Sequence, residues 1–150
     1  MRSLLLLALI AVASCNFTSE KWAVLISGSK GYGNYRHQAD VCHSYHVLIN
    51  RGFKPCNIIL FSYDDVANSP DNPFPGKLFN KPGDDAIDYN KRCKKDYTGD
   101  LVTPENFVNV LTGNSLAMIG KGTGKVLKSC AFDNVFIFFT DHGGTGLISF

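Results

Sequence analysis

The residues of this chain best suited to chemistry fall in two short polar stretches, each following an apolar run. Asp141, His142 and Gly143 come directly after "NVFIFFT". A neutral imidazole there can take a proton from a thiol or hydroxyl and return it to a leaving amine. Gly143 lets a backbone N–H approach a substrate closely and meet a developing oxyanion. The other stretch, "GSKGYGNYR", follows "WAVLIS". It offers Asn34 to orient the imidazole and Arg36 as a fixed cation able to donate to a carbonyl or carboxylate. Together they spell the chemistry of acyl transfer, with the nucleophile left to be found.

Three short apolar runs must position these groups. Trp22 to Gly28, Asn57 to Tyr63 and Asn134 to Thr140 each read as a buried strand. Between the first two, His37 to Arg51 is helical, with Val41, Tyr45 and Leu48 on one face and His43, His46 and Asn50 on another. Gly52 is its stop. Asp64 to about Gly99 is long, polar and rich in Pro and Gly, a loop of the functional or mobile kind. "TPENFVNVL" opens a second helix with Thr103 as N-cap and Pro104 at the first helical position. The alternation predicts an α/β fold, a parallel sheet covered on both faces. Sites in such sheets lie at the carboxyl ends of the strands. Two loops reach that edge, Ser27 to Arg36 and Asp141 to Gly146, and their polar residues should meet.

Composition narrows the function. A net charge of +2 over 150 residues is too small to argue for nucleic acid or an anionic membrane surface, so no nucleic-acid partner is expected. Lys91, Arg92, Lys94 and Lys95 read as a solvated loop. "GSKGYG" is not the dinucleotide fingerprint, and "GKGTGK" lacks both the first glycine and the hydroxyl of a phosphate loop. Cys42, Cys56, Cys93 and Cys130 have no CxxC spacing, and His43 with His46 lacks further ligands, so no metal and no cofactor are expected. The histidine pair reads as exposed or packed. Residues 1–15 have the charged start, apolar run and small residues of a secretory signal peptide. The run is too short for a membrane span, so none remains after its removal. "NFT" from Asn16 is a glycosylation sequon. The secretory route permits disulfides, whose pairing stays open, and leads to a lysosome-like or vacuolar lumen or to the extracellular space.

Several stretches agree in order and spacing with one family: "WAVLISGSKGYGNYRHQADVCHSYHVLINRG", "YDDVANSPDNPFPG", "KDYTGDLVTPENFVNVLTG", "GKVLKS" and "FIFFTDHGGTG". They resemble the legumains, asparaginyl endopeptidases of the caspase-like cysteine peptidases. The resemblance implies a partial peptidase domain over residues 20–150, a caspase-like parallel-sheet sandwich with flanking helices, incomplete at the C-terminus. It implies cleavage of protein or peptide substrates after Asn, sometimes Asp, through an acyl-thioester on cysteine. His142 matches the catalytic histidine, Asn34 its supporting asparagine, Gly143 the oxyanion donor and Arg36 an arginine of the pocket for the substrate Asn. Asp141 matches a residue able to cyclise to a succinimide. The nucleophilic cysteine of the family lies in a Glu-Ala-Cys-type motif on the next strand, and none of Cys42, Cys56, Cys93 or Cys130 matches it.

The chain is therefore expected to be a fragment, inactive alone, with an exposed sheet edge. Two alternatives stand beside this reading. "FPGKLFN" and "AIDY" lean toward the catalytic subunit of the GPI transamidase, although Asp141 stands where that subunit typically has glycine. The other is a truncated secreted paralogue acting as a non-catalytic binding protein.

Overall fold

The computed structural model describes residues 19–150. The expected signal peptide, Cys15 and the Asn16 sequon lie outside them. Three strands form a parallel sheet in the order β2-β1-β3: β1 is Lys21–Ser27, β2 is Ile58–Phe61 and β3 is Asn134–Thr140. Two further strands, β4 (Gly143–Gly144) and β5 (Leu147–Ile148), make a small antiparallel hairpin. Helix α1 (Tyr35–Asn50) joins β1 to β2, and α2 (Pro104–Leu111) precedes β3.

Side chains alternate across the sheet, and each face has its own core. Ala23, Leu25, Ile58 and Leu60 pack against Val41, Cys42, Tyr45 and Leu48 of α1. Val24, Ile26, Ile59 and Phe61 pack on the other face against Tyr97, Val102, Val110 and Met118. β1 is therefore covered on both sides, as its unbroken apolar run requires. Helix α2 is capped as expected: Asn106 N–H donates to Thr103 Oγ1 at 3.2 Å. Gly52, with φ 83°, follows α1 in the left-handed region that only glycine enters cheaply.

The structure corrects the sequence reading at several points. β3 is not a buried strand: Val135, Phe136 and Ile137 are 41–49% exposed, because β3 has no neighbour on its outer side among the described residues. Helix α1 begins at Tyr35 after a 3-10 turn (Tyr32–Asn34), so Arg36 belongs to its first turn and not to the loop. The segment after β2 is anchored at many points. Val66, Ala67 and Leu78 are buried, and Asn72 Nδ2 donates to the carbonyls of Ala67 and Lys77 at 2.8 and 3.0 Å. A disulfide joins Cys42 of α1 to Cys93, 51 residues apart. Lys95 departs from the solvated reading of its cluster: its side chain is only 9% exposed and its Nζ lies 2.7 Å from Asp64 Oδ1. His43 and His46 are a packed pair, both in ring contact with Tyr89 from the same segment.

Candidate active site

β1 and β3 are parallel neighbours whose last paired residues are Ser27 and Thr140. Whatever follows either strand must emerge at the same place on the carboxyl edge. Gly28 N–H still reaches the Thr140 carbonyl at 3.3 Å, and the two loops diverge only beyond that point. Asn34 lies at the amino end of α1, and its Oδ1 is 2.7 Å from His142 Nε2. Asn34 Nδ2 donates to the Lys30 carbonyl at 3.0 Å, which fixes the amide oxygen toward the imidazole. An acceptor on Nε2 places the proton there in the neutral ring, leaving the lone pair on Nδ1. Nδ1 is thus the nitrogen able to accept a proton.

Asp141 turns inward. Its side chain is 2% exposed, and its Oδ1 accepts from His142 N–H at 2.6 Å. Its Oδ2 is buried and has no hydrogen-bond donor. Gly28 makes the room: a Cβ there would collide with that Oδ2. Beside Asp141 lies His37, buried on α1, with Nδ1 3.6 Å from Asp141 Oδ1 and 2.6 Å from Ser29 Oγ. Its ring meets that of His142 edge-on, centroids 5.1 Å apart. Burial pushes the pKa of His37 down, the charge of Arg36 adds to this, and Asp141 partly opposes it.

Gly143 opens the small hairpin. Ser149 N–H donates to the His142 carbonyl at 3.0 Å, so 142 and 149 are a hydrogen-bonded pair. The next pair, Gly143 with Ile148, is then the non-bonded one, and the Gly143 N–H is not spent on the ladder. Arg36 is exposed and lines a cleft of about 840 Å³ with Tyr32, Tyr35, Phe74 and Phe79. The structure thus joins Asn34, Asp141 and His142 directly, whereas Arg36 lines a cleft that includes none of the three.

The sequence reading missed Ser29 and His37, and it missed a third loop. Asp65, after β2, accepts from Gly31 N–H at 2.8 Å and from Gln38 Nε2, bracing the loop that carries Asn34. The "YDD" that follows an apolar run carried the same carboxyl-edge signal. His37 gave one too, three residues beyond Asn34 on a helix, a spacing that shares a face. No described cysteine lies at this edge. Cys42 and Cys93 are bonded to each other, and exposed Cys56 and Cys130 precede β2 and β3 at the opposite end.

A parallel α/β sheet with an oriented imidazole at its carboxyl edge defines part of an α/β enzyme domain. The chain belongs to the peptidase C13 family, a family of cysteine peptidases, whose profile matches residues 21–150. It is 53% identical to the legumain of Mus musculus over 129 residues, 86% of this chain and 29% of that protein. It is 51% identical to the hemoglobinase of Schistosoma japonicum over 148 residues, 94% of this chain and 33% of that protein. The delta-isozyme of the vacuolar-processing enzyme of Arabidopsis thaliana is 53% identical over 129 residues, 86% of this chain and 27% of that protein. The chain spans a third or less of the length of these curated relatives.

Proposed function

We propose that this chain carries the base and part of the substrate pocket of a legumain-type cysteine endopeptidase cleaving after Asn, and after some Asp. The observation that carries the reading is the Asn34–His142 hydrogen bond, which leaves Nδ1 as the basic nitrogen. A cysteine thiol from outside the described residues gives its proton to that nitrogen, and the thiolate attacks the substrate carbonyl. The oxyanion that forms takes the unspent N–H of Gly143. As the tetrahedral species collapses, His142 returns the proton to the leaving amine, and an acyl-thioester remains. Water, deprotonated by the same nitrogen, hydrolyses it. Arg36 donates to the side-chain carbonyl of the substrate Asn, and carboxylates from outside the described residues accept from its NH₂ group. The contact between His142 N and the Asp141 carboxyl suits succinimide formation, in which that nitrogen attacks the side-chain carbon and water leaves.

The names of the relatives favour this reading over a transamidase subunit, and they point to a lysosome-like or vacuolar lumen. No described helix is long and apolar enough to cross a membrane. Hydrolysis of an Asn-ending fluorogenic peptide tests the proposal. The 150-residue chain alone should show none. The whole peptidase should turn the substrate over and lose roughly three orders of magnitude or more in kcat with His142→Ala. Turnover by the chain alone, or a whole enzyme indifferent to that substitution, refutes it.

A further inference from the structure

We propose that His37, Asp141 and His142 form a binding site for a divalent transition-metal ion, zinc above all, and that the bound ion silences His142 as a base. The second half rests on the catalytic reading above; the first does not. Each of the three residues offers one ligand atom, and these atoms lie within 4.8 Å of one another. Among the described residues no other three His, Cys, Asp or Glu side chains gather in this way. Two imidazoles and one carboxylate suit zinc and its first-row neighbours, whereas magnesium and calcium call for oxygen-rich sites.

The distances are near those a metal needs. Tetrahedral zinc with bonds of about 2.1 Å sets its ligand atoms about 3.4 Å apart. Asp141 Oδ1 and His37 Nδ1 are already 3.6 Å apart, and a metal on Nδ1 takes the place of its 2.6 Å hydrogen bond with Ser29 Oγ. His142 is solvent-exposed, so its ring is the one with space to close the remaining gap. Three protein ligands leave a fourth position for water or a thiolate.

Two further features suit a bound cation. Asp141 Oδ2, packed against Gly28, is a buried carboxylate oxygen with no donor, so the buried carboxylate keeps charge that a cation on its Oδ1 would offset. Asn34 accepts from His142 Nε2–H, the outer hydrogen bond by which metal-bound histidines have their tautomer and orientation fixed. The same bond that readies Nδ1 for a proton readies it for a metal. An ion there holds the lone pair that catalysis needs, so metal and proton transfer exclude each other.

Calorimetric titration of the full chain with zinc chloride tests the site. Cys56→Ser and Cys130→Ser are built in first, because both cysteines are free and exposed and a thiolate is a zinc ligand. We expect one ion per chain with a micromolar or tighter Kd, and a Co²⁺ adduct with the visible bands of tetrahedral coordination. His37→Ala, Asp141→Asn and His142→Gln should each weaken binding by about tenfold or more, and Asn34→Ala by a similar factor. The exposed His142→Gln variant keeps the test decisive if the two buried changes prevent folding. His43→Ala with His46→Ala should change nothing. Absence of saturable binding at micromolar zinc, or binding unaffected by His142→Gln, overturns the site. In the whole peptidase zinc should inhibit Asn–X hydrolysis, and inhibition should weaken with Asp141→Asn. Tight binding without inhibition refutes the silencing. A whole protein with no Asn–X hydrolysis refutes the catalytic reading, and with it the silencing, while calorimetry still decides the site.

Discussion

At His37 the cost of burial and the pull of neighbouring charges act on one proton. Burial is the largest influence and lowers the pKa below the ordinary 6.5, Arg36 and His142 push the same way, and Asp141 and Asp40 push back. The folded chain therefore holds this proton less tightly than the unfolded chain does. The contribution to stability is complete above about pH 6.5. It erodes as the pH falls from there through the lowered folded value. His37→Gln should flatten the stability curve in that window, as read from urea midpoints across a pH series. Gly28 carries a second residue-scale prediction. In Gly28→Ala the methyl collides with Asp141 Oδ2 and lies 3.1 Å from the Phe150 Cα and the Ser149 carbonyl. The carboxylate must move, and His142 with it. We expect a loss of about 1–3 kcal/mol by denaturation, together with shifted imidazole resonances of His142.

Among the elements, the segment between β2 and α2 has no regular structure until the short 3-10 turn at Gly99–Leu101. Its order comes from anchors instead. The Cys42–Cys93 disulfide ties it to α1, the Asn72 side chain closes its turns, and Tyr35 OH receives Phe79 N–H at 2.7 Å. The same segment supplies Phe74 and Phe79 to the cleft beside Arg36, so its position shapes what Arg36 can meet. Replacing Cys42 and Cys93 by alanine should cost about 2–4 kcal/mol, because the bond closes a long loop in the unfolded chain. Differential scanning calorimetry should show this as a fall of roughly 5–15 °C in Tm. Proteolysis should then nick the segment first.

For the molecule as a whole, the outer side of the sheet dominates. β3 leaves its outer backbone edge unpaired by any described strand, and Val135, Phe136 and Ile137 are exposed beside it. Such an edge recruits other strands. The chain in isolation should self-associate at micromolar concentration, and Ile137→Lys should shift it toward monomer in sedimentation velocity. A chain that stays monomeric without the lysine would show that this edge is protected.

The apolar runs alone determined three strands, and the caps and stops Thr103, Pro104 and Gly52 determined the helix ends to within a few residues. Those signals are local: burial on both faces needs unbroken apolar sequence, and helix ends need particular side chains or glycine. The rule that parallel sheets work at their carboxyl edge was enough to bring Asn34 and His142 together on paper, and their hydrogen bond bears out that meeting. Tertiary structure alone decided the rest. His37 and Ser29 join the site because α1 folds back over β1, a placement that depends on packing and not on spacing. Asp141 turns inward only because Gly28, 113 residues away, leaves a space for it. Cys42 found Cys93, and not Cys56 or Cys130, because the segment after β2 crosses α1. β3 reads as a core strand by composition and, among the described residues, lies at an edge by neighbourhood, since a strand's burial depends on what lies beside it, which its own residues do not encode.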